Sequence, residues 1–111
     1  MKTLTLNLGD KLYTASRVTA WQSREALAIN KLTLDIAQKA KSMGEDADEN
    51  DAAAIIDLMG EITNRRSNLI CEVYGNKFTV DELEKNLSTE EITEHMNQIT
   101  FGIMGIVQKN G

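Results

Sequence analysis

The sequence predicts a mostly helical α+β domain, in which an N-terminal β-hairpin packs on a bundle of two long helices, one short helix and a C-terminal helix. Three observations predict this fold. Apolar and polar residues alternate near the N-terminus, helical periodicity follows, and Thr/Ser capping patterns divide the helical part. The chain has 111 residues and no proline. We therefore expect residues 1–111 to form a single domain.

The first element is a strand–turn–strand segment. Leu4, Leu6 and Leu8 alternate with polar residues, Gly9-Asp10 follows, and residues 11–16 again favour a strand. An isolated hairpin is only marginally stable in water. We therefore expect this hairpin to lie against the helices.

A long helix follows, from about Thr19 to about Met43. Thr19 with Gln22 three residues later forms a capping-box pattern. At 100° per residue, this helix has two apolar stripes on roughly opposite sides. The first stripe is Trp21, Ala28, Ile29, Leu32 and Ile36, and the second is Ala20, Leu27 and Leu34. Two stripes require two partners, and the hairpin can supply one of them.

An acidic connector, residues 44–50 (GEDADEN), leads to a second long helix predicted over residues 51–74, with Asn50 or Asp51 as its cap. Arg66 falls in the middle of its apolar stripe. That stripe consists of Ile55, Leu58, Met59, Ile62, Leu69, Ile70 and Val73.

Arg66 is predicted to pair with Glu25. If the two long helices form an antiparallel hairpin, residue i of the first lies opposite roughly residue 94 − i of the second. Glu25 then lies within a turn of Arg66, and an unpaired charge in an apolar interior is costly. The alternative is that Arg66 reaches solvent or binds helix-end carbonyl groups.

The second long helix is predicted to end at Gly75-Asn76. Two further helices follow, over about 79–87 and about 88–109. Each opens with a capping box, formed by Thr79 with Glu82 and by Ser88 with Glu91.

The final helix is apolar nearly all round from Ile99 to Val107. Its main seam consists of Ile92, Met96, Ile99, Ile103 and Ile106, while Phe101 projects about 180° and Met104 about 120° away. Either this helix is central in the core, or its outer side contacts another copy or a client protein. The candidate partner-binding residues are Met96, Phe101, Met104 and Val107 here, with Leu27 and Leu34 of the second stripe.

The composition bounds the class of partner. The net charge is −5, and the basic residues are not clustered, so we expect no binding to nucleic acid. The apolar runs are too short to span a membrane, and the N-terminus has no secretory pattern, so we expect a cytoplasmic protein. A single cysteine, Cys71, cannot form an internal disulfide.

Several residues suggest chemistry, but each has a structural interpretation. Asp46, Asp48 and Asn50 match the first ligands of a calcium loop, yet the Gly and Glu that complete that motif are missing, which favours a solvated acidic turn. We interpret His95, the only histidine, as a partly exposed surface residue and Cys71 as a small packed side chain. No catalytic group, metal or cofactor is predicted.

Residues 73–99 (VYGNKFTVDELEKNLSTEEITEHMNQI) resemble the carboxy-terminal signature of tail assembly chaperones of long-tailed phages and prophages of Gram-positive bacteria. In that family, an aromatic-Gly-Asn-x-Phe-Thr turn precedes an acidic short helix and a last helix opened by a small polar cap. The N-terminal half is similar in the LNLGDKLYTA hairpin and in the Arg24–Leu27 segment. The sharpest match, the turn over residues 75–79, has a structural meaning. Gly75 and Asn76 end a helix, Phe78 fills the core and Thr79 caps the next helix.

The resemblance implies a non-enzymatic protein that binds the tape measure protein before the tail tube polymerises, prevents its aggregation, and is absent from the finished virion. It also implies self-association and a contact with the tail tube protein. In many such phages, a longer form produced by frameshifting recruits the tail tube protein. The sequence ends at Gly111 without a second domain, so we expect the short form. Two alternatives remain. One is a prophage-encoded interaction or regulatory module with another client, and the other is a small helical DNA-binding protein, which the charge disfavours.

Overall fold

A computed structural model describes residues 3–44 and 48–104, with the side chains of residues 103 and 104 outside the described part. The elements are β1 (Leu4–Leu8), β2 (Lys11–Ala15), α1 (Ala20–Met43), α2 (Glu49–Val73), α3 (Val80–Asn86) and α4 (Thr89–Met104). The predicted mostly helical α+β fold and its order of elements are confirmed. The predicted continuation of the last helix to residue 109 lies outside the described residues.

The hairpin packs at the α3 end of the molecule. Strands β1 and β2 are antiparallel, with Leu4 opposite Ala15 and Leu8 opposite Lys11. Gly9 has a φ of 60° at the first position of the two-residue turn, which glycine adopts without strain. Strand β1 contacts α3, and the ring of Tyr13 on β2 lies 4.8 Å from that of Phe78.

Helices α1 and α2 form the antiparallel hairpin that the sequence predicted. The side-chain amide of Gln22 donates to the carbonyl oxygen of Glu72 over 3.2 Å, which is the predicted register of 94 − i. Helices α3 and α4 pack against the lower half of this helix hairpin, which is the half farther from the acidic connector. Before Ile62, α2 has no fully buried residue. The upper parts of α1 and α2 therefore form a two-helix arm.

The buried core joins all six elements. The side chains most completely removed from solvent lie on α1, α2, α3 and α4, and the β1 leucines close one end of the core. The core residues are Leu4, Leu6, Leu8, Ala15, Ala26, Ile29, Ile36, Ile62, Leu69, Ile70, Cys71, Val73, Tyr74, Phe78, Leu83, Ile92, Met96 and Ile99.

Capping boxes open the helices. The boxes of Thr19, Thr79 and Ser88 form as the sequence predicted. The predicted cap of α2 was wrong. Asp48 is the cap, because its carboxylate accepts from the Asp51 backbone N–H at 2.9 Å while the Asp51 carboxylate accepts from the Asp48 N–H at 3.4 Å. This reciprocal pair starts the helix two residues earlier than predicted.

The turn after α2 is strongly bent. Gly75 and Asn76 have φ values of 77° and 56°, and the Asn76 N–H donates to the carbonyl oxygen of Cys71 at 2.8 Å. Phe78 is buried, with its ring 5.9 Å from that of Tyr74. Two left-handed residues thus turn the chain back so that Phe78 enters the core.

Candidate partner-binding surface

The second apolar stripe of α1 is exposed. Leu27 retains 47% and Leu34 retains 67% of its accessible surface. The hairpin packs against α3 and leaves Leu27 and Leu34 exposed, so the prediction that it could supply one of the two partners of α1 does not hold for this stripe. No element among the described residues covers these large apolar side chains. Exposed apolar side chains that lie side by side are common on protein-binding surfaces.

The end of α4 emerges beside the same side of α1. The Asn30 side-chain amide donates to the Thr100 hydroxyl at 3.0 Å, and Leu27 and Leu34 lie about one turn before and after Asn30. Phe101 directly follows Thr100 and retains 37% of its surface. The exposed aromatic ring therefore lies near the α1–α4 contact.

Other candidates from the sequence have different positions. Met96 is buried in the core, so its interpretation as a partner contact was wrong. The reason is that α4 is apolar on several sides, and periodicity alone does not show which side faces inward. The side chain of Met104 and the whole of Val107 lie outside the described residues.

A second exposed apolar pair, on α2, was not predicted. Ile56 and Met59 retain 66% and 55% of their surface. Sequence reasoning placed Met59 in the buried stripe and did not use Ile56. The available signal was the 4-3-4 spacing of Ala52, Ile56, Met59 and Thr63, all of which are exposed.

Glu25 pairs with Arg65 and not with Arg66. The Arg65 Nη2 and Nε atoms donate to the two carboxylate oxygens of Glu25 at 2.8 and 3.0 Å. These hydrogen bonds lower the pKa of Glu25 and raise the pKa of Arg65. The predicted helix register was right, but the adjacent arginine lies on the side of α2 that faces Glu25.

Arg66 instead lies where α1, α2 and α4 meet. Its guanidinium donates to the hydroxyl of Thr33 at 3.3 Å and to that of Thr93 at 3.4 Å. Burial lowers the pKa of Arg66. Among the described residues it has no carboxylate partner within ion-pair distance.

An open cleft lies next to the Glu25–Arg65 pair. Trp21 is exposed there, which corrects its predicted place in the buried stripe of α1. The cleft has a volume of about 320 Å³ and is lined by Trp21, Glu25, Arg65, Asn68, Leu69, Glu72 and Asn76.

His95 is a core residue, so the interpretation as a surface histidine was wrong. Its Nε2 atom lies 2.7 Å from the hydroxyl oxygen of Tyr74, because the seam of α4 turns this side toward the end of α2. Burial lowers the pKa of His95 and raises the pKa of Tyr74. Cys71 is buried as the sequence indicated, and burial raises the pKa of its thiol.

Three further observations concern metal ions, the calcium-like pattern and membranes. Within residues 3–44 and 48–104, no three His, Cys, Asp or Glu residues form a group that could hold a metal ion. Asp48, from the calcium-like pattern, caps α2, while Asp46 lies outside the described residues. None of the described helices is long and apolar enough to cross a membrane.

Large apolar side chains are exposed on β2, α1, α2 and α4, and clusters of such side chains are common on protein-binding surfaces. A family model described as a phage tail chaperone protein matches residues 1–110. The chain belongs to this family. No curated protein and no solved structure matches it. Membership implies partners among tail proteins and suggests a role other than catalysis.

Proposed function

We propose that this chain is the tail assembly chaperone of a siphovirus-type phage or prophage of a Gram-positive host. It binds the tape measure protein, prevents its aggregation, self-associates and assists assembly of the tail tube, also through the tail tube protein. It acts in the host cytoplasm and leaves before the virion is complete. The observation that carries this proposal is the family match over residues 1–110.

The client-binding site is centred on Phe101. This ring lies on a helix that Met96 and Ile99 anchor in the core, so little conformational freedom is lost when a partner covers it. Aromatic side chains are also frequent binding hot spots. A long helical client with unpaired apolar faces supplies a complementary surface. Met104 and Val107 remain further candidates from the sequence for the client-binding site.

Phe101→Ser tests the site. We expect co-expression with the wild-type chain to keep the tape measure protein soluble, and Phe101→Ser to reduce the soluble fraction several-fold, because a polar side chain removes the apolar contact. The soluble fraction is measured by quantitative gel analysis after centrifugation.

Leu12→Ser is the matched control, because Leu12 is also a large exposed apolar residue but lies on β2. This control should leave client solubility unchanged, and circular dichroism should show that both variants are folded. A wild-type chain that does not increase soluble tape measure protein would contradict the function. Equal solubilisation by Phe101→Ser would contradict only the site.

A further inference from the structure

The cleft beside the Glu25–Arg65 pair lies between an exposed aromatic ring and a row of polar side chains. Trp21 lines the cleft and retains 60% of its accessible surface, although tryptophan is usually largely buried. Leu69, which is almost completely buried, adds an apolar part to the wall. The volume of about 320 Å³ is at the lower end for ligand pockets and leaves room for one long side chain.

Four polar residues form a row along one side of α2. Glu61, Arg65, Asn68 and Glu72 recur at spacings of 4, 3 and 4, which places them on the same side of the helix. The last three of them line the cleft. Hydrogen bonds to Glu25 raise the pKa of Arg65, and the charge of Glu61 raises it further. Arg65 therefore lies among more carboxylates than it can pair with.

Glu72 is a carboxylate of the cleft without a cation. Its side chain is exposed, and it takes part in none of the ion pairs within residues 3–44 and 48–104. Arg65 directs its Nη2 and Nε atoms to Glu25 instead. The cleft thus offers an aromatic ring and a carboxylate to a cation from another molecule.

Gln22 holds the two walls of the cleft together. Its side-chain amide donates to the carbonyl oxygen of Glu72 over 3.2 Å, and its side-chain oxygen accepts from the Thr19 N–H at 3.0 Å. The first turn of α1, with Trp21, is thereby fixed against the last turn of α2, with Glu72. A site that is held in this way loses little conformational freedom when it binds a ligand.

We propose that this cleft binds an arginine side chain of a partner protein. The guanidinium stacks on the indole ring of Trp21 and donates to the carboxylate of Glu72. The aliphatic part of the arginine covers Leu69. Arginine is favoured over lysine, because a planar guanidinium can stack on an aromatic ring and also donate two parallel hydrogen bonds to a carboxylate.

This site is separate from the client-binding site centred on Phe101. Trp21 lies about 180° around α1 from Asn30, and Asn30 contacts Thr100, the residue before Phe101. A partner with an exposed arginine can therefore occupy the cleft while another protein covers Phe101. The inference goes beyond the proposed function, since it depends neither on the client nor on self-association.

Binding is measured with N-acetyl-arginine amide, in which the guanidinium is the only charged group. Trp21 is the only tryptophan, so its indole N–H resonance in a proton–nitrogen correlation spectrum reports on the cleft. At constant ionic strength we expect a saturable shift with a millimolar dissociation constant, because a single partly solvated contact is weak. N-acetyl-citrulline amide has nearly the same shape without the charge and should give no saturable shift. N-acetyl-lysine amide should bind several-fold more weakly.

Two variants test the two walls. Glu72→Gln should weaken binding of N-acetyl-arginine amide about threefold to fivefold, because the charge is lost while the shape is kept. Glu94→Gln is the matched control and should leave binding unchanged, because Glu94 is also an exposed helical carboxylate but lies on α4 outside the cleft. Trp21→Leu should weaken binding about twofold to fivefold, measured from the backbone N–H of Glu72.

Circular dichroism should show that all three variants are folded. The inference is overturned if the arginine derivative gives no saturable shift at Trp21, if the citrulline derivative binds equally well, or if Glu72→Gln leaves binding unchanged. Equal binding of the lysine derivative overturns the assignment to arginine. Solubilisation of the tape measure protein is a separate assay, so failure of the cleft and failure of the chaperone function are distinguishable.

Discussion

Arg65 and Arg66 are neighbours in the chain but have different surroundings. Arg65 makes a two-pronged contact with Glu25 at the edge of the cleft, where both side chains are partly exposed. Arg66 is more deeply buried and donates only to two hydroxyl groups over long distances. Neighbouring residues lie about 100° apart around α2. Arg65 therefore faces a carboxylate, whereas Arg66 faces only hydroxyl groups.

The first stability prediction separates these two arginines. A double-mutant cycle with Glu25→Gln and Arg65→Met should give a coupling free energy of about 1 kcal/mol, at the upper end for a partly exposed pair. The cycle with Arg66→Met should give almost none, and Arg66→Met alone should change the free energy of unfolding by less than about 1 kcal/mol. Urea denaturation measures both. Stronger coupling of Glu25 to Arg66 than to Arg65 would contradict the observed pairing.

At the scale of elements, glycine has opposite roles in α2 and in the turn that follows it. Gly75 occupies the left-handed region with a φ of 77°, where an added Cβ would meet only the end of the Lys77 side chain at 4.0 Å. Gly60 lies within α2, and no atom lies within 4 Å of the position of an added Cβ. Both positions therefore have room, and only the backbone conformation distinguishes them.

This difference predicts opposite effects of the same substitution. Gly75→Ala should lower the free energy of unfolding by about 1–2 kcal/mol, because the left-handed conformation is strained for alanine. Gly60→Ala should raise it by about 0.5–1 kcal/mol, because alanine favours a helix interior. Thermal and urea denaturation at low protein concentration measure both effects. Equal effects of the two substitutions would show that backbone conformation does not decide them.

The arrangement of elements also explains which surfaces are free. The hairpin lies against α3, where the β1 leucines enter the core and the ring of Tyr13 packs against that of Phe78. The outer side of α1 therefore has no covering element in the part of the chain that the structure describes. The same arrangement leaves the upper half of α2 in contact mainly with α1.

For the whole molecule, the described residues extend over 46 by 30 by 30 Å. The long dimension follows from α1 and α2, since helices of 24 and 25 residues are about 36 Å long. Their lower half is packed into the core and their upper half is the two-helix arm. An elongated molecule with one packed end leaves opposite outer faces of the arm available to other proteins.

The pH dependence of global stability follows from His95. Its pKa is lowered in the folded chain by burial, whereas the unfolded chain takes up this proton as the pH falls through about 6.5. The free energy of unfolding should therefore fall as the pH decreases below about 6.5, by at most about 1.4 kcal/mol per pH unit. The contribution of Glu25, whose pKa is lowered by its hydrogen bonds to Arg65, is lost only below the unfolded Glu pKa of 4.5.

The measurement compares the wild-type chain with His95→Gln between about pH 7.5 and about pH 5. Glutamine does not titrate, so the variant should show a flatter profile over this range. Parallel profiles would exclude His95 as the cause.

Single-domain organisation remains a prediction. Circular dichroism and the fluorescence of Trp21, the only tryptophan, should show one coincident unfolding transition.

The sequence by itself determined the features that depend on neighbouring residues. Three capping boxes, the turn at Gly75 and Asn76, and the two opposite stripes of α1 all follow from spacings of a few positions. The helix-hairpin register also follows, because helix lengths constrain which residues face each other. The exposed candidates Leu27, Leu34 and Phe101 were recognised in this way, although only experiments on partners test their role.

The tertiary structure alone decided which surfaces are covered. Periodicity identifies an apolar stripe but not the element that packs on it, so the burial of Met96 and His95 and the exposure of Trp21 and Ile56 required the positions of all elements. The choice of Arg65 over Arg66 likewise depended on the rotation of α2 relative to α1. Such positions result from many contacts between residues distant in sequence, which no local pattern contains.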